Sequence, residues 1–171
     1  MERFMDAEAR FLQADSLLER GEIAEAKQML IGILEDEPDF GRAHNHLGWL
    51  YRVKLSNFER AEYHLRLAVK FAPDFPAGYL NYGHLLMETG EYEKLGELAE
   101  KALKVRGIYL PAVYHFLAVV AEKQGELQVA MKWLLKAKES ASDEGSVTHI
   151  KSEIRRVKGK MNAFSRIALL F

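Results

Sequence analysis

Apolar residues recur along most of the chain at spacings of three and four, the period of an α-helix with one buried face. Tyr79, Tyr82, Gly83 and Leu86 fall at i, i+3, i+4 and i+7. Tyr92, Leu95, Leu98, Ala99 and Ala102 continue the same rhythm. Gly90 separates the two stretches, as glycine does where a helix closes in the left-handed region. Pro76 stands at a first-turn position, where its missing N–H costs little. The pattern predicts a helix, a tight turn and a second helix. Pro111, Tyr114, Leu117, Ala118 and Ala121, then Gly125, then Leu127, Ala130, Leu134 and Ala137 predict another such pair.

The pairs are copies of one unit. Pro38-Asp39-Phe40 returns 35 residues later as Pro73-Asp74-Phe75. Leu47-Gly48 maps at the same step onto Tyr82-Gly83 and then Leu117-Ala118. Ala26 maps onto Ala61, and Gly90-Glu91 onto Gly125-Glu126. Small residues at fixed positions have a packing reason. Two helices approach closely only where a side chain is absent or tiny, so Gly48, Gly83 and Ala118 on first helices and Ala26, Ala61 and Ala130 on second helices mark the crossings. Neither helix buries its stripe alone, so each pair must stack on the next.

At these positions the chain resembles the tetratricopeptide repeat family. The second copy reads Leu47-Gly48, Tyr51, Phe58, Ala61, Leu65, Ala68 and Pro73; the third reads Tyr79, Tyr82-Gly83, Gly90, Tyr92, Ala99 and Ala102. The first is partial, with Ala14, Leu17, Gly21, Ile23, Ala26, Leu30, Leu34 and Pro38. The resemblance covers about residues 7–142 and implies an all-α, right-handed solenoid of four helix-turn-helix repeats, at about 7–40, 41–75, 76–110 and 111–142. Residues 143–171 follow as a C-terminal capping or oligomerisation helix. The chain departs from the family in its step of 35 rather than the usual 34, in Gly107 and Ser142 where a closing proline is expected, in Leu95 for an alanine, and in an extra turn residue around Leu55-Ser56-Asn57.

The resemblance also implies function. In the family, first helices line a concave groove that holds a partner segment. Carried over, its groove positions are Phe11, Asp15 and Glu19; Arg42, Asn45, His46, Trp49 and Arg52; Asn81, His84, Met87 and Glu88; and His115, Phe116, Val119 and Glu122. Spacing independently sets Arg42, Asn45, Trp49 and Arg52 on a face apart from the Leu47–Tyr51 stripe. Trp49, flanked by polar groups, has the character of an interface anchor, although a tryptophan can equally pack on the neighbouring repeat. Asn81 can meet backbone amides, since its side chain both donates and accepts. A clamp for a C-terminal carboxylate, known in some relatives, is not expected, because its lysines and arginine are missing.

Composition narrows the chemistry. The 171 residues hold 24 Lys+Arg against 25 Asp+Glu, so no general attraction to phosphate backbones is expected. That balance and the small-residue positions disfavour the pentatricopeptide alternative, a single-stranded RNA reader with the same period. The absence of cysteine excludes disulfides and thiolate metal sites. His44 and His46, two apart on a helix, point in different directions and cannot share an ion. His46, His84 and His115 at groove positions are read as partner-contacting or solvated rather than metal-binding. No nucleophile elbow, phosphate loop or H-E-x-x-H motif occurs, so no enzyme activity, metal or cofactor is expected. The N-terminus shows no signal-type apolar run, and no window is long enough to span a bilayer, so a cytoplasmic location is expected.

From Val147 the repeat gives way to a heptad-like stripe of Val147, Ile150, Ile154, Val157, Met161, Phe164, Ala168 and Phe171. Residues 143–171 carry six Lys/Arg and three Asp/Glu, net +3, leaving −4 for the remainder of a chain at −1. A helix starting near Asp143 should seal the last repeat, with Gly159 a candidate break. The apolar end beyond Met161 could fold back, or make the protein a homo-oligomer through 147–171; membrane contact is not expected. The sequence therefore predicts a non-catalytic protein-protein interaction scaffold that binds a protein or peptide partner.

Overall fold

The computed structural model describes residues 2–161, with side chains from Asp6 onward. Among these residues the chain is all-α. Four helix-turn-helix repeats, α1 (Glu2–Glu19) with α2 (Ile23–Asp36), α3 (Gly41–Val53) with α4 (Phe58–Phe71), α5 (Pro76–Thr89) with α6 (Tyr92–Ala102), and α7 (Leu110–Lys123) with α8 (Leu127–Ser140), precede α9 (Glu144–Lys160). By compactness it divides into two units, Met1–Leu85 and Leu86–Phe171. No described helix is long and apolar enough to cross a membrane.

The turns follow from backbone chemistry. Gly90 and Gly125 adopt φ of 77° and 82°, the left-handed conformation in which a Cβ clashes with the following carbonyl. The second repeat turns differently. There Ser56 takes φ 49° in place of a glycine, and Asn57 caps α4 by accepting from the Arg60 amide at 3.0 Å. This is the turn with the extra residue. Pro76 opens α5 and Pro111 lies in the first turn of α7.

In the first unit, α1 packs on α2, α2 on α3 and α3 on α4. Ala26, Leu30, Ile33, Ala43, Leu47, Leu50, Ala61 and Leu65 are fully enclosed. The crossing of α3 and α4 is closest at Gly48. A Cβ there would stand 2.5 Å from Leu65 Cγ and 3.2 Å from the Leu65 backbone nitrogen. Gly41 has the same role at the start of α3, where a Cβ would lie 2.8 Å from the Ala72 amide nitrogen.

One polar pair is built into this core. His44 is 4% exposed and reaches the Pro38 carbonyl oxygen through Nε2 at 2.9 Å. A carbonyl only accepts, so Nε2 carries the proton and Nδ1 is left as an acceptor. His64 Nδ1 meets it at 2.9 Å and must donate. The contact requires a neutral His44, because a proton on its Nδ1 would set two donors face to face. Burial pushes both imidazoles below their ordinary value, His64 to about 4 with the further effect of neighbouring His44 and Arg60.

In the second unit, α9 lies on α8 and touches α7. Its core comprises Ala118, Ala121, Ala130, Met131, Leu134 and Ala137 with Ile150, Val157 and Met161. Asp143 caps α9 by accepting from the Ser146 amide at 2.8 Å, and Tyr109 Oη donates to Asp143 Oδ2 at 2.8 Å. Glu122 accepts from Arg156 and, at 2.7 Å, from Lys160. Those cations hold its carboxyl down to about 2. Gly159 does not break α9, which runs through it to Lys160; the helix's hydrogen bonds and the buried neighbours Val157 and Met161 outweigh one glycine's propensity. Phe164, Ala168 and Phe171 of the predicted stripe lie outside the described residues.

Replacing Gly48 with leucine should destabilise the protein by about 3 kcal/mol, because the contact is backbone as well as side chain; urea unfolding followed by circular dichroism measures this. The two pKa directions predict separate losses on acidification. Histidines held low contribute stability above pH ~6.5 that is lost as pH falls toward 4. His64→Gln should therefore lower the slope of unfolding free energy against pH by about one proton over that range. Glu122 contributes above its ordinary value and loses that contribution as pH falls from about 4.5 toward 2. Glu122→Gln should cost about 1–2 kcal/mol at pH 7 and progressively less below pH 4.

Candidate partner-binding site

The first unit contains a cavity of about 380 Å³ lined by Asp15, Leu18 and Glu19 of α1, Asn45, His46 and Trp49 of α3, and Asn81 of α5. The helical period explains the grouping. Asp15, Leu18 and Glu19 fall at i, i+3 and i+4, and Asn45 and Trp49 at i and i+4, so each set shares one face. The side chains therefore converge without any irregular backbone.

His46 is fixed at both ring nitrogens. Nδ1 faces the Arg42 carbonyl oxygen at 3.1 Å and Nε2 donates to Asp15 Oδ1 at 3.0 Å. Asn81 Nδ2 donates to Asn45 Oδ1 at 2.9 Å. Asn45 is only 3% exposed, yet its own amide hydrogens take no partner among the described residues, and neither does Asn81 Oδ1. Exchanging O and N on both amides still leaves one donor and one acceptor open. Trp49 is half-buried, and Lys54 Nζ lies 5.7 Å from its ring centre.

The cavity edge is electrostatically unbalanced. Glu19 is exposed, ends α1, and makes no ion pair or hydrogen bond among the described residues. Carboxylates are disfavoured at a helix C-terminus, where carbonyl oxygens already point outward. No basic residue stands in the last turn of α1. Arg20 follows, but its guanidinium is engaged by Glu22 at 2.6 Å and Ser16 at 2.9 Å.

Of the residues that the family pattern places in the groove, the structure brings Asp15, Glu19, Asn45, His46, Trp49 and Asn81 around this cavity. Others in this unit are engaged elsewhere. Phe11 is buried, edge-on to His46 and tilted against Phe40. Arg42 pairs with Glu8 and lies over the Phe11 and Phe40 rings at 4.9 and 5.2 Å. It ties α1 to α3. Arg52 and His84 are half-buried.

Glu88, His115 and Phe116 belong to the second unit. Glu88 is exposed, whereas Phe116 is 1% exposed and part of the interior. His115 faces α9, with Nε2 3.7 Å from Glu153 Oε2 and its ring edge-on to His149. Burial, reinforced by His149, pushes His115 below its ordinary value. Thus α9 occupies the side of α7 on which His115 and Glu122 stand. Among the described residues no set of three His, Asp or Glu is placed to hold a metal ion.

Leu18 was not among the groove positions that the family pattern implies, whereas Glu19 was. The α1 period alone contained the signal for Leu18. The buried His44–His64 pair had no such signal, because its partners lie on different helices.

Comparison with known proteins places this geometry in context. Two family models, each described as Tetratricopeptide repeat, match residues 11–76, and 76–108 with 111–144. No curated protein matches the chain. Among solved structures, PilF of Pseudomonas aeruginosa superposes with a TM-score of 0.77 at 20% identity, covering 94% of this chain and 72% of its own. TTC0263, a tetratricopeptide protein of Thermus thermophilus, gives 0.61 at 20% identity, covering 88% and 80%. YrrB, described as a tetratricopeptide protein with an unusual peptide-binding site, gives 0.69 at 19% identity, covering 85% and 74%. With four repeats in phase and both models matching most of its length, the chain belongs to the tetratricopeptide repeat family.

Proposed function

We propose that this protein, a protein-interaction scaffold by its family, is non-catalytic and holds an extended peptide segment of a partner at the cavity of Asp15, Asn45, His46, Trp49 and Asn81. The observation that carries the reading is the Asn45–Asn81 pair. Its open donor and open acceptor are the complement of one peptide unit, which presents a C=O and an N–H. These open groups are not enclosed by the protein, so a peptide backbone entering the cavity can reach them, at a net gain of about 0.5–1.5 kcal/mol per hydrogen bond. Trp49 supplies the apolar surface beside it. An aromatic ring partly buried in its own protein loses little rotamer freedom on contact, which suits an anchor. The peptide-binding description of YrrB, a structure of the same fold, is in keeping with this reading.

A homo-oligomer formed through residues 147–171 is the second reading, and Met161, 3% exposed at the end of α9, bears on it. Its burial uses the near half of the stripe within the unit, which weakens the case for its use between copies.

The test is selection from a random dodecapeptide library followed by calorimetry on the best binders. Trp49→Ala should weaken them at least ten-fold while leaving the 222 nm circular dichroism unchanged. Binders indifferent to Trp49→Ala and to Asn81→Ala would place recognition elsewhere.

A further inference from the structure

Resting on that reading, we infer that the segment held at this cavity is basic, with a lysine or arginine side chain received between Glu19 and the Trp49 ring. Several observations converge on a cation. Glu19 is an exposed carboxylate that no described residue answers, as are Glu25 and Glu35 of the same unit, but Glu19 alone of these three lines the cavity. It stands at the negative end of the α1 dipole, so carboxylate and helix terminus act with the same sign on the same space. Among the described residues no lysine or arginine lines the cavity. The indole ring beside it attracts cations through its face, and Lys54 at 5.7 Å shows that this ring already receives one.

The Asn45–Asn81 pair fixes the position of that side chain. Asn45, 3% exposed with an open amide, holds the backbone of the segment at the cavity wall. Asp15 is already engaged by His46, so the charge requirement falls on Glu19. An arrangement that lowers the stability of the free helix end and is repaired by a positive ligand is a binding feature rather than a folding one. The absent carboxylate-clamp lysines agree, since this cavity has the opposite sign to such a clamp.

Three synthetic twelve-residue probes test the inference. Each alternates alanine with lysine, glutamine or glutamate and carries a fluorophore for polarisation measurements at low salt. The lysine probe should bind the full-length protein at least ten-fold tighter than the glutamine probe, and the glutamate probe weakest. Glu19→Gln, which removes no contact in the free protein, should reduce the lysine-probe affinity five-fold or more and leave the glutamine probe unchanged. Glu100→Gln, an exposed carboxylate on α6, is the control and should change neither. Equal affinity for lysine and glutamine probes, both weakened by Trp49→Ala, would overturn the basic-segment inference and leave the peptide reading standing. Preference for the glutamate probe, or no binding of the lysine probe at 1 mM, would also overturn it. A concentration-dependent dimer that Glu19→Gln dissolves would give the cavity to a second copy instead of a partner.

Discussion

The close crossing of paired helices is the constraint on which the rest depends. At Gly48 the backbone of α3 approaches Leu65 so nearly that a single added carbon would sit 2.5 Å from Leu65 Cγ. That approach lets two amphipathic helices bury their stripes with few large side chains. It also sets the direction of every residue on α3. With Leu47 and Leu50 turned inward, Asn45, His46 and Trp49 are left facing α1 and α5. The cavity is thus a by-product of core packing, and its chemistry is what the remaining helix face carries.

The two units manage polar groups in different ways. The first buries a neutral histidine pair, whose protons are assigned by one carbonyl, and an asparagine pair that leaves two groups open. The second closes its α7 face with α9, tying Glu122 to Arg156 and Lys160 and setting Glu153 beside His115. A repeat array leaves its last apolar face exposed unless something covers it. Here Ile150, Val157 and Met161 cover it, and the ion pairs orient the cover.

Much of the architecture was legible because periodicity is a local property. Four phased copies, glycines at the turns and alanines at the crossings gave helix count, turn positions and the buried stripes. Ser56 shows where this legibility thinned, since a serine in the left-handed region is supported by its surroundings rather than by its own preference. Gly159 shows the same from the other side: a residue of poor helix propensity stays helical because its neighbours are packed. Of the residues marked for the groove, those lining the cavity were set there by period, whereas Arg42 and Phe11 were engaged by groups from distant sequence that no spacing announces.

The sequence alone determined the fold class and the faces of each helix, because side-chain direction along a helix depends only on residue number. Tertiary structure decided which of those faces meet. It placed Asn45 against Asn81 across 36 residues, left Glu19 without a partner among the described residues, and turned His115 toward α9. Whether a polar group is satisfied or open depends on the atoms brought beside it from elsewhere in the chain, and that is a property of packing.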